Sequence, residues 1–127
     1  TYMAEMAKFD PGRAIILSDL VQKTGYPATL KKMFGHDTWF LNGYMYAGCN
    51  TGGVFVHLGE DGAKNAIDTN DDVIPFSPRS DMVMRAYVQI ADPSARDPQI
   101  LSEWLKRSAE FLLALPPKVK KKKPKKT

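Results

Sequence analysis

Apolar residues recur along this chain with two different periods, and the switches between them mark out the elements. Asp10 can cap a helix whose first position is Pro11, where a missing amide proton costs nothing because that donor has no partner in a first turn. Ile16, Leu17, Leu20 and Val21 then share one face, and Gly25 with Pro27 supplies the stop. A helix over about 11–24 is predicted.

Between residues 30 and 58 the period drops towards two, with short aromatic and branched runs separated by turn residues. Three strands in an antiparallel meander are predicted. Asn42-Gly43 lies between Trp39-Phe40-Leu41 and Tyr44-Met45-Tyr46; both residues tolerate positive φ, so the connection reads as a tight hairpin. Asn50-Thr51-Gly52-Gly53 makes the next turn, after which Val54, Val56 and Leu58 fall on one face and Phe55 and His57 on the other.

Residues 60–68 read as a short helix with Ala63, Ala66 and Ile67 inward. The Asp-, Asn-, Ser- and Pro-rich stretch 68–80 reads as turns, with pairing expected only over 73–76. Met84, Ala86, Val88 and Ile90 alternate with polar or aromatic neighbours and predict a half-buried strand over 84–90, ended by Asp92-Pro93. Asp97-Pro98 repeats the cap-plus-proline start. Leu101, Trp104, Leu105, Ser108, Leu112 and Leu115 recur at helical spacing after it, so a long helix over 95–115 is predicted, closed by Pro116-Pro117.

Charge changes this picture only at one end. The 127 residues carry 18 basic and 14 acidic groups, but seven of the lysines lie between 118 and 126. Without them 11 basic groups face 14 acidic ones, so the folded part is mildly acidic at −3 and only the tail has the charge of a nucleic-acid binder. Val119 is the one apolar residue after Pro117, too little to offset the entropy of ordering, and residues 118–127 are expected to be a disordered lysine-rich tail behind a domain over 10–117. Cys49 is the single cysteine, which excludes an intrachain disulfide and a multi-cysteine metal cluster and suggests a cytoplasmic protein. No apolar run approaches the roughly 20 residues of a membrane-spanning helix.

A search for chemistry returns packing explanations. His36-Asp37 are adjacent on a strand and point to opposite faces, and His57 lies on the Phe55 face of its strand. Asp68, Asn70 and Asp72 open like a calcium loop, but Val73 stands in place of the required glycine and Arg79 in place of the bidentate glutamate, so an acidic turn is expected. Ser77, Ser80 and Asp81 lack a nucleophile elbow. Gly48, Gly52 and Gly53 fit no phosphate loop and read as turn glycines. Cys49 reads as a buried inert thiol. Trp39, Phe40, Tyr44, Tyr46 and Phe55 offer stacking surfaces, which strands ordinarily use for core or dimer packing. Lys31 and Lys32 read as a solvated strand start. No catalytic residue, metal ligand or cofactor site is assigned.

Lys31-Lys32-Met33-Phe34-Gly35, then Asn42-Gly43, then Arg85-Ala86-Tyr87-Val88, followed by Trp104, Arg107-Ser108 and Leu115-Pro116-Pro117-Lys118, stand in an order that resembles the TfoX N-terminal domain family over about residues 10–118. His36 departs from it, since the family commonly has another glycine there. The resemblance implies an α+β fold, a two-layer antiparallel sheet covered by helices as in secretion chaperones, with homodimerisation, a protein partner and no reaction. Competence-regulating members carry a second, C-terminal domain where this chain has its lysine tail, so a stand-alone member is expected. The expected function is a non-enzymatic binding or regulatory module; the alternative is a nucleic-acid-associated protein using the tail.

For that alternative the contacts are Lys118, Lys120, Lys121, Lys122, Lys123, Lys125 and Lys126, point charges without base-reading geometry. Affinity for duplex DNA, titrated across salt, should fall with a log–log slope of about −0.9 per neutralised phosphate and should be lost in a chain ending at Pro117. Equal affinities of the two chains would eliminate the tail as the binding element.

Overall fold

The strand pairing begins at residue 29 and runs through most of the chain. A computed structural model describes residues 11–33, 36–50, 52–79, 82–92 and 94–117. Within them, helix α1 (Pro11–Thr24) precedes four strands, β1 (Thr29–Met33), β2 (His36–Leu41), β3 (Tyr44–Asn50) and β4 (Gly53–His57). Helix α2 (Gly59–Thr69), strands β5 (Val73–Arg79) and β6 (Met82–Ala91), a 3₁₀ turn (Ser94–Arg96) and helix α3 (Pro98–Leu113) follow. The six strands form one sheet in the order β1-β2-β3-β4-β6-β5, antiparallel at every junction.

All three helices cover the same face. Val54 and Val56 of β4 and Val88 and Ile90 of β6 share one buried cluster with Leu17 and Val21 of α1, Ala63 and Ala66 of α2, and Leu101, Leu105 and Leu112 of α3. Each large side chain buried there contributes about 1.5–3 kcal/mol over leaving it in water. The alternate residues form a second cluster on the opposite face, where Phe55 stacks on Phe76 at 4.3 Å and Tyr87 packs beside both. Among the described residues no helix is long and apolar enough to cross a membrane.

Three polar devices join the layers. In the β2–β3 turn Asn42 and Gly43 both take positive φ, 57° and 87°, which aims the Asn42 side chain at the end of α3. Its Nδ2 donates to the carbonyls of Leu112 and Leu115 at 2.8 and 3.0 Å, and the Tyr44 hydroxyl donates to that of Pro116. The register of β2 on β3 shifts between Trp39 and Phe40, leaving Tyr46 as the extra residue of β3. Its hydroxyl donates to the Leu105 carbonyl at 3.2 Å, and burial pushes the phenol well above its ordinary ionisation range, with Tyr26 adding to the shift. Arg13, almost wholly buried, donates from both terminal nitrogens to Asp92 at 2.8 and 3.1 Å, and Arg96 reaches the same carboxylate at 3.3 Å. The Arg13 hydrogen bond holds the Asp92 carboxyl below its ordinary range, against an opposing contribution from burial.

Several expectations need correction. The span 30–58 holds four strands, not three, because β1 and β2 are separate partners in register from Thr29–Phe40 to Met33–His36. Strand β5 extends past 76 to Arg79 despite Pro75 and Pro78, with partners at 73–76 and at Arg79, since β5 lies at the sheet edge, where an absent amide proton costs no ladder bond. Gly48 is not a turn glycine: it lies inside β3, and a Cβ on it would come within 2.3 Å of the Phe55 ring that crosses it. Gly53 likewise opens β4. The last helix is shorter than 95–115, because a 3₁₀ turn takes Ser94–Arg96 and the Asp97 side chain caps Gln99 and Ile100 just before Pro98–Leu113. The Asp10 cap lies outside the described residues.

Leu101, Trp104, Leu105 and Leu112 are buried on one stripe of α3, with the Arg107 guanidinium 4.8 Å above the Trp104 ring. Trp104→Ala should therefore lower stability by about 3–5 kcal/mol in urea unfolding, whereas Glu103→Ala on the exposed side should stay within about 0.5 kcal/mol.

Candidate functional site

Among the described residues a concavity lies where α2 meets the β5–β6 hairpin. It is an open groove of about 370 Å³, lined by Glu60, Asp61, Lys64, Ile67 and Asp68 of α2 and by Pro75, Val83, Met84, Arg85 and Tyr87 of the strands. Its two walls have separate origins. On α2 the core takes Gly59, Ala63 and Ala66, so residues offset by one or two positions form the outward stripe that faces the groove. On the strand side Pro75 stands opposite Val88 while Phe76 stands opposite Met84, so Arg85, Ala86 and Tyr87 have no direct partners in β5. This irregularity bends β6 and opens the space beside α2.

The lining combines apolar and charged side chains. Val83, 57% exposed, is part of the apolar lining with Ile67, Pro75 and Met84. Lys64 and Asp68 pair with each other at 3.1 Å along α2. Glu60 and Asp61, in the first turn of the helix where negative charge is favoured, line the groove together with Arg85. Tyr87 also lines it: its hydroxyl donates to the Met45 carbonyl at 3.2 Å, and burial pushes its ionisation far up, so at neutral pH the phenol is a fixed donor. These groups suit reversible contact with a side chain that is apolar between charged neighbours.

The residues weighed as chemistry in the sequence are scattered and engaged. His57 is half-buried between Tyr87, Phe111 and the edge of Tyr44, with ring centroids at 4.3, 5.6 and 6.2 Å, and its Nδ1 accepts the Gly59 amide proton at 3.2 Å. The carbonyl of His57 accepts from Ser108 at 2.6 Å. In the acidic turn, Asp68 holds Lys64, Asn70 donates to the Ala66 carbonyl, and Asp72 accepts from the Ser94 hydroxyl. No group of three or more His, Cys, Asp or Glu side chains able to hold a metal occurs among the described residues. Cys49 is fully buried. Of the strand aromatics, Trp39, Tyr46 and Phe55 are buried within one copy, and Phe40 and Tyr44 are half-buried. Ser80, Asp81 and the lysines 118, 120–123, 125 and 126 lie outside the described residues.

A TfoX N-terminal domain family model matches residues 19–112, well over half of the chain. The chain belongs to the TfoX N-terminal domain family. Neither a curated protein nor a solved structure matches it. The match spans every strand and α2, and so includes both walls of the groove, while Arg13 lies ahead of it. Sequence reasoning missed the groove. Its one local signal was the outward stripe of α2, which has the pattern of an ordinary solvated helix face; the strand wall depends on the β5–β6 irregularity, which no short-range pattern encodes.

Proposed function

We propose that this TfoX N-terminal domain is a non-enzymatic regulatory module, related to competence regulators, that works as a homodimer and binds a protein partner in the groove between α2 and the β5–β6 hairpin. The observation that carries the reading is the make-up of that groove: exposed Val83 with Ile67, Pro75 and Met84 as apolar lining, beside acidic Glu60 and Asp61 and basic Arg85. Such a surface recognises an apolar anchor flanked by charge, with the charges setting orientation. Family membership supports the regulatory part of the reading.

The test is genetic and uses one substitution. Deleting the gene in its host should change expression of the competence genes; the wild-type chain should restore it, and Val83→Glu, which puts a charge on the apolar lining without touching the core, should restore it by less than about a tenth while keeping the wild-type circular dichroism. Full restoration by Val83→Glu would remove the groove as the binding site. Unchanged expression on deletion would remove the regulatory reading itself.

A further inference from the structure

Among the described residues the sheet ends on β1 at one side and on β5 at the other, and the two edges are built differently. β5 contains Pro75 and Pro78, which have no N–H to offer another strand, and its register on β6 breaks twice. Both features guard an edge against further pairing. β1 has neither: it contains no proline, pairs with β2 without a break, and is exposed from Thr29 to Lys32. Lysines on an edge ordinarily repel a further strand. Here both lean inward over β2, Lys31 to 4.9 Å from the centre of the Phe40 ring and Lys32 to 3.4 Å from Asp37.

Resting on the homodimer reading above, we infer that a second copy of this chain adds to this edge, β1 against β1, antiparallel and centred on Leu30. Charge selects that register. If the helices of both copies are to lie on one side of the joined sheet, facing residues must share the same side, which leaves three short registers. Centring on Lys31 sets Lys31 against its own copy, and centring on Lys32 does the same for Lys32; like charges directly opposite are destabilising. Centring on Leu30 sets Leu30 against Leu30, Thr29 against Lys31 and Ala28 against Lys32, with no like-charged pair. It also covers Leu30, which is 45% exposed beside Trp39 on the helix side of the sheet. A contact built on a five-residue strand falls below the roughly 1,600 Å² of a standard interface, so the dimer dissociates on dilution.

The experiment combines mass with position-specific cross-linking of the full chain. Sedimentation equilibrium at about 100 μM should give a dimer, and Leu30→Asp should shift it to monomer. Leu30→Cys, its Cβ about 4.5–5.5 Å from its copy, should oxidise to a covalent dimer with copper phenanthroline. Lys32→Cys, displaced from its copy by about 13 Å along the strands, should not. A monomeric wild-type chain would overturn both this proposal and the homodimer reading. A dimer unaffected by Leu30→Asp and uncross-linked at position 30 would leave the homodimer standing and overturn its placement on β1, as would cross-linking at position 32 in preference to 30.

Discussion

Arg13 is the largest of the side chains that the fold hides almost completely, and its charge has to be met inside the protein. Asp92, 79 residues away, meets it with both carboxylate oxygens. A buried guanidinium left without its carboxylate costs several kcal/mol, so α1 is accepted on the sheet only where Arg13 reaches the end of β6. That end is also where the chain turns through Ser94–Arg96 into α3, and Arg96 joins the same carboxylate. One ion-pair cluster thus fixes α1, the end of β6 and the turn that leads into α3 relative to one another. Apolar burial supplies most of the stability; the pair decides which packing is used.

What was legible in the sequence was what short-range chemistry decides. Asn42-Gly43 specified its hairpin because both residues take positive φ, and Asp97-Pro98 placed the start of α3 because capping is local. The order helix, strands, short helix, strand, long helix followed from the two periods, and the α+β class was what the family resemblance implied. Some of the misreadings arose where a partner outside the short run decided the structure. Residues 68–80 have turn composition, yet β5 forms because β6 supplies a ladder and an edge position tolerates Pro75 and Pro78. Gly48 looked like punctuation, and only the Phe55 ring lying across it gives its reason. The candidate groove was hidden for the same reason, because its strand wall arises from a register break between β5 and β6.

The helix layer and the sheet edges divide the molecular surface by role. With α1, α2 and α3 on one face and the Phe55, Phe76 and Tyr87 cluster on the other, those three aromatic residues are used within one copy. The two proposed recognition surfaces are the seam beside α2 and the edge at β1. These lie at opposite ends of the strand order, so a partner in the groove and a second copy on the edge do not compete for the same residues.

The dependence on Arg13 and Asp92 is tested most directly by a double-mutant cycle in urea, using Arg13→Met, Asp92→Asn and both together. Asp92 is 39% exposed, so solvent screening brings the expected coupling to roughly 2 kcal/mol, below that of a fully buried pair. Because the carboxyl is held below its ordinary value of 3.8, the coupling should be complete above that pH and fade as the pH falls through the lower value of the folded state. Either single variant should be less stable than the wild type, with the double variant losing less than the sum of the two. Strict additivity at pH 7 would contradict the account.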